Sequence, residues 1–302
     1  MYNLIKIFLL ATFILNNLTA ETILVVRESN PAFLQVLQGF NDEIGEDYSV
    51  VDFTINSKST YSDFTKKIKA TKPDLLLVMD ETAVQFAKKL NSVKTIAVMG
   101  LNFQKTLINF KNICGISYET APYSIVSEFQ DISSKKVNKI SILYRKQYNQ
   151  KFIEDAKRQL SRSKVIVNAI DLDSVANNKK KLRKKLAKIL KKQTKRSSKN
   201  DAIVVLGDNV LLERSLFSKV WIPAANKAKI PFLSGIKVLS SKKLNFCAFT
   251  ASPDHIAMGS QAAQFAYNIL EEGVSPQEIG IQYAAEIETN INKKKFRKLR
   301  IK

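Results

Sequence analysis

KPDLLLVMDETAVQFAKKL, residues 72–90, contains the repeating unit of this chain. Lys72-Pro73 ends whatever precedes it, and Leu75 to Met79 form an unbroken apolar run of five. Asp80-Glu81-Thr82 follow as a polar loop, and a helical pattern then continues over 82–91. A short run rich in Leu and Val, bounded by turn signals, predicts a strand buried on both faces. Five more runs repeat this grammar: TILVV (22–26), TIAVM (95–99), ISILY (140–144), AIVVL (202–206) and IPFLS (230–234). A helical pattern follows most of them, so the sheet strands should be parallel. In open sheets of this kind, ligands bind beyond the carboxyl ends of the strands.

Outward from these runs, two α/β cycles emerge. The first reads as strand 22–26, helix 31–44, strand 48–55, helix 61–71, strand 75–79, helix 82–91, strand 95–99 and strand 112–118. Thr60 with Asp63 gives a capping-box start to the helix at 61. The second cycle reads as helix 122–133, strand 139–144, helix 150–162, strand 165–172, basic helix 178–196, strand 202–206, helix 210–228, IPFLS and a strand over 245–250. Ser252-Pro253 should open another helix, with Ser as N-cap and Pro at its first position, and Gly273 should stop it. The fold class is therefore α/β, as two doubly wound parallel-sheet units in series.

The 302 residues suit two domains behind a leader. Lys6, the apolar core IFLLATFIL (7–15) and the small residues up to Ala20 predict a cleavable secretory signal over 1–20. No Cys sits at the cleavage point, so a lipid anchor is not indicated. Cys114 and Cys247 both fall in strand-like segments, and a disulfide and two small buried thiols are the competing readings.

The net charge of +21 first suggests a polyanionic partner, but its placement weakens that idea. Residues 179–199 hold twelve Lys or Arg and residues 293–302 hold seven, neither segment with an acid. Leu182, Leu186, Ile189 and Leu190 form one stripe of a helix that can pack on a sheet while its lysines face water. A solvated face and contact with an anionic membrane both fit this pattern. Neither segment has the interleaved aromatics of a base-stacking platform, so no nucleic-acid partner is expected.

Signatures of catalysis are absent: no Gly-rich phosphate loop, zinc helix motif, nucleophile elbow or Cys-x-x-Cys pair. His255 is the single histidine, on the first turn of a helix. No enzyme activity, cofactor or metal site is expected. The strand-ending loops carry the candidate ligand contacts: Ser29 and Asn30; Asp80, Glu81 and Thr82; Gly100 and Asn102; Tyr148 and Asn149; Asp208 and Asn209; Ser234 and Gly235. Several precede helices, whose free N–H groups can hold an anion, and helix capping is the alternative role for each residue.

The segments 72–90, VNKISILYRKQYN (137–149), Asp201 through AIVVLGDNV to Ser234, SPDHIAMGSQAAQFAYNILEEG (252–273) and ETNINKKKFRKLRI (288–301) together make the chain similar to a known family. It resembles the extracytoplasmic solute-binding proteins of ABC importers with the type 1 periplasmic-binding fold, in particular those serving tryptophan and tyrosine uptake. The resemblance implies an N-terminal lobe of 21–120 plus 251–282 and a C-terminal lobe of 121–250 plus 283–302. Three crossovers would join them, near Tyr118–Ala121, Thr250–Ser252 and Ile281–Ala285, with Tyr118 beside the ligand. It also implies a periplasmic location, a small amino-acid or amine-like solute, and an ABC permease as membrane partner. Thr82, Tyr144 and the Asp208-Asn209 pair match the family pattern. Gly100-Leu101-Asn102 stands where that pattern has Ser-Asp-Pro, Gly235 where it often has Asp, and Asp80-Glu81 where a small residue is usual. A sensory or interaction module that uses the basic helix and tail on membranes or partner proteins is the alternative.

Overall fold

A computed structural model of the protein describes residues 20–195 and 200–301. The expected signal therefore lies, but for Ala20, outside the described residues, as do 196–199 and Lys302 of the basic segments.

The strands in chain order are β1 (Thr22–Glu28), β2 (Ser49–Ile55), β3 (Leu75–Met79), β4 (Lys94–Gly100), β5 (Ile113–Ser117), β6 (Lys139–Tyr144), β7 (Ile166–Asp171), β8 (Ala202–Val205), β9 (Phe232–Ser234), β10 (Phe249–Pro253), β11 (Ile281–Tyr283) and β12 (Ile287–Ile291). They form two sheets, ordered β11-β5-β4-β3-β1-β2 and β12-β10-β9-β8-β6-β7. The first is parallel throughout. In the second only the edge pair β10–β12 is antiparallel. All six apolar runs contain strands, although Ile230, Pro231 and Leu206 fall outside β9 and β8, and every residue of β3 is buried, as expected for a sheet covered on both faces.

The chain passes between the sheets three times. After β5 it runs through 118–121 into helix Pro122–Ile132, which packs Ile125, Val126 and Phe129 on the second sheet. After β10 it turns at Asp254 into helix His255–Leu270, which returns to the first sheet's core. Residues 284–286 then link β11 to β12. The return helix lies against helix Pro31–Ile44 with no room for side chains at the crossing. A Cβ on Gly39 would fall 2.0 Å from Ile256 O, and one on Gly259 2.1 Å from Val36 O. Backbones touching at two glycines fix how this late segment docks on the N-terminal sheet.

Several expected boundaries move. The strand expected over 245–250 begins at Phe249, and Ser252 and Pro253 belong to it. Pro253 is tolerated there near the end of the strand, facing the antiparallel edge partner. The following helix starts at His255, and its N-cap is Asp254, which accepts the Ala257 N–H. The helix ends at Leu270, ahead of Gly273, which has φ +68°. The helix expected over 210–228 is divided into Arg214–Leu216, a π turn Phe217–Trp221 and Ile222–Lys227. The Ile222 N–H reaches back five residues to Phe217 O, just before Pro223, which has no N–H to offer.

The basic helix Lys179–Gln193 buries Leu182, Leu186 and Leu190 and leaves most of its lysines in water. Cys114 and Cys247 are both buried free thiols. No helix among the described residues is long and apolar enough to cross a membrane.

Candidate functional site

The first crossover carries the polar centre of the site. β5 ends at Ser117, and Tyr118, Glu119 and Thr120 follow before the chain enters the second sheet's layer. Glu119 accepts the Asn102 N–H at Oε1 and the Ser117 hydroxyl at Oε2. Burial pushes its carboxyl above the ordinary range, an effect that these two hydrogen bonds oppose. It takes part in none of the ion pairs among the described residues. Thr120 is 6 % exposed, and its Oγ1 has no hydrogen-bond partner. The Tyr118 hydroxyl lies 3.0 Å from His255 Nε2, and His255 Nδ1 lies 2.9 Å from Gln35 Oε1. Burial lowers the pKa of this histidine, which favours the neutral ring.

These crossover residues face a cavity of about 240 Å³. Its far wall comes from the strand ends of the second sheet: Val205 to Asn209 after β8, and Gly235 and Ile236 after β9. Asn149 and Phe152 from helix Lys146–Arg162, Ile125 and Leu212 complete it. Leu101, in the loop after β4, covers it from the other sheet. A Cβ on Gly207 would meet Leu101 Cδ1 at 3.7 Å and Ile236 Cδ1 at 3.9 Å, so the two sides touch here. A second bridge lies beside it, where Lys105 Nζ donates to Gln147 O and sits 5.3 Å from the Tyr148 ring centroid.

Of the residues singled out in the sequence, Tyr118, Asn149, Asp208, Asn209 and Gly235 line this cavity. Asp208 accepts from Arg145 Nε at 2.8 Å and from the Val210 and Leu211 N–H groups at 2.9 Å, so its carboxylate is neutralised and tied to its own turn. Gly235 permits a close approach, since a Cβ there would lie 3.2 Å from Thr120 Oγ1. Asn102 and Tyr148 line a smaller adjoining cavity with Glu119.

The other candidates are held elsewhere. Ser29 and Glu81 are exposed, and Thr82 is half-buried. Asn30 caps helix Pro31–Ile44 through the Ala32 N–H. Asp80 is buried and accepts from the Ala83 and Glu28 N–H groups. Gly100 is covered by the Phe103 ring, which a Cβ would strike at 2.1 Å. Ser234 is fully buried and donates to Val205 O.

The sequence reading did not single out Glu119 and Thr120, which line the cavity, although it located the crossover they occupy. It also missed the apolar lining, Ile125, Phe152, Leu206, Leu212 and Ile236, whose residue types are those of any core. Among the described residues no cluster of His, Cys, Asp or Glu could hold a metal ion.

No protein-family model matches the chain. No curated protein matches it. Solved structures do. A substrate-binding protein with adhesive properties from Clostridium difficile, in its ligand-free open form, matches with TM-score 0.63 at 17 % identity, covering 93 % of this chain and 95 % of that one. An ABC domain in complex with L-Trp from Streptococcus pneumonia matches with TM-score 0.56 at 19 % identity, covering 93 % and 96 %. A conserved domain protein from Vibrio cholerae matches with TM-score 0.59 at 17 % identity, covering 94 % and 96 %. These likenesses give the chain a two-lobed, type 1 periplasmic-binding-protein-like fold.

Proposed function

We propose that this protein is an extracytoplasmic solute-binding protein, which encloses one small solute between its two lobes and delivers it to the permease of an ABC importer. The observation that carries this reading is the cavity at the first crossover, walled by the second sheet's strand ends and covered by Leu101 from the first. Its position follows the general rule for open parallel sheets. In this reading the lobes are 21–120 plus 251–282 and 121–250 plus 283–302, the three crossovers act as the hinge, and an N-terminal signal exports the chain. The solute stabilises the closed state only by as much as it binds that state better than the open one. Two of the fold relatives support the reading, one described as substrate-binding and one holding L-Trp.

Thermal unfolding of ligand-stripped protein against amino acids, amines, polyamines, sugars and nucleosides tests it. A true solute at a hundred times its Kd stabilises by about 2.7 kcal/mol. It should also reduce the radius of gyration in solution scattering. A broad screen without one stabilising solute would overturn the reading.

The outward lysines of helix Lys179–Gln193 support a second reading, a sensory or interaction module that docks on acidic surfaces. Salt-sensitive binding to anionic vesicles, in a protein that no solute stabilises, would favour it.

A further inference from the structure

We propose that the cavity selects a monoamine: a single protonated amine on an apolar body, with no carboxylate. This rests on the solute-binding reading above and names its substrate class.

Among the described residues two carboxylates line the cavity, Glu119 and Asp208, and no Lys, Arg or His does. Asp208 already has its counter-charge in Arg145. Among the described residues Glu119 has no cation within 4.0 Å, although Lys105 and Lys151 line the adjoining cavity with it, and its hydrogen bonds come from the neutral Asn102 N–H and Ser117 hydroxyl. A carboxylate taken out of water without a cation is costly, and an arriving cation removes that cost. The neighbouring residue supplies a second acceptor. Thr120 is part of the same lining, and its buried Oγ1 has no hydrogen-bond partner, which leaves an acceptor free beside Gly235. An ammonium group has three N–H donors, and a carboxylate and a hydroxyl from consecutive residues can receive two of them.

The same inventory argues against an amino acid. Its carboxylate would enter a cavity with two acids and no cationic side chain. The turn N–H groups of Val210 and Leu211, the obvious anion holders, already donate to Asp208, and that of Ile236 donates to Ser234 Oγ. A diamine fits poorly as well. Its second charge would meet only Asp208, whose carboxylate is already paired with Arg145, and the apolar wall of Ile125, Phe152, Leu206, Leu212 and Ile236. Size agrees with a compact apolar body. An engineered cavity of about 150 Å³ takes up benzene, so about 240 Å³ holds a ring or branched chain with a short aminoalkyl arm.

Matched pairs test the proposal on the full mature chain by isothermal titration: phenethylamine against L-phenylalanine, isoamylamine against L-leucine, and tryptamine against L-tryptophan. In the pairs that bind, the amine should bind at least tenfold tighter than its amino acid. Glu119→Gln should abolish that preference, and Thr120→Val should weaken the amine severalfold, with circular dichroism confirming that both variants fold. The wild-type preference alone decides the matter if Glu119→Gln does not fold. Equal or tighter binding of the amino acids overturns the proposal, as does a preference that survives Glu119→Gln. Stabilisation only by a sugar or nucleoside overturns the monoamine class and leaves solute binding standing. Stabilisation by nothing removes both.

Discussion

Arg145 Nε donates to Asp208 Oδ2 at 2.8 Å, and both side chains are buried beside the cavity. The guanidinium also lies 4.2 Å from the Tyr148 ring centroid, so one arginine ties together two of the strand-ending loops of the second sheet. Removing one member of such a pair leaves a buried charge unanswered, at a cost of about 3–5 kcal/mol. Asp208→Ala should therefore lower the free energy of urea unfolding by about 3 kcal/mol or more, since it also frees the Val210 and Leu211 N–H groups. Arg145→Met with Asp208→Asn should recover more than half of that loss, because the neutral amide still accepts at the turn. A single Asp208→Ala change that leaves stability intact would show that this carboxylate serves a ligand instead.

Asp80 sits at φ +81° and ψ 167°, a backbone region occupied almost only by glycine. Its carboxylate holds it there by accepting from the Ala83 N–H at 2.9 Å and the Glu28 N–H at 3.2 Å. Asp80→Ala loses both bonds and keeps the strain, and should cost about 2–3 kcal/mol. Asp80→Gly loses the bonds but relieves the strain, and should be more stable than the alanine variant by about 1 kcal/mol. Thermal unfolding of the three proteins checks the order. Solute affinity should be the same in all three, because Asp80 does not line the cavity.

Leu101 is 37 % exposed yet covers the cavity, so its side chain serves closure more than folding. Burying a leucine fully is worth roughly 1.5–3 kcal/mol, and a partial share of that appears only when the two sides meet. Leu101→Ala should weaken the stabilising solute about tenfold and leave the ligand-free unfolding midpoint nearly unchanged. A matching loss of ligand-free stability would instead make Leu101 an ordinary packing residue.

These three sites also show what the sequence could and could not disclose. The runs at 22–26, 75–79 and 202–206 are legible because a strand buried on both faces has no polar alternation to confuse it. The capping box at Thr60 is legible because it is local, and the structure has both of its hydrogen bonds. β11 and β12 were missed because three to five half-buried residues at a sheet edge leave almost no pattern. The loops were found by the rule that function follows strand ends, but a loop residue that caps a helix looks identical to one that binds a ligand. Asp80 and Asn30 are caps of that kind, and Ser234 is a buried donor to Val205 O. Glu119 could have been suspected, as an acid two residues beyond a buried strand at a crossover. That it lacks a cation is a three-dimensional fact, which no spacing encodes.

Lys295 extends the same logic to the C-terminal helix Lys293–Leu299. It is buried, and its Nζ donates to Asn226 Oδ1 at 2.8 Å. Burial, with repulsion from Lys298, lowers its pKa from the ordinary lysine value of 10.5 to about 8. Below about pH 8 the folded and unfolded chains both hold the proton, and folding bears the full cost of the buried charge. Between about 8 and 10.5 the unfolded chain keeps the proton and the folded chain has lost it, so stability rises with pH across that window. In Lys295→Met this contribution is gone. The difference in urea unfolding free energy, wild type minus variant, should therefore increase from pH 7 to pH 10, with most of the change above pH 8. Taking the difference removes the titration of the other lysines and tyrosines, which both proteins share. A difference that stays flat with pH would mean that the Lys295 ammonium is solvated in the folded chain, and that the tail helix is not docked through Asn226.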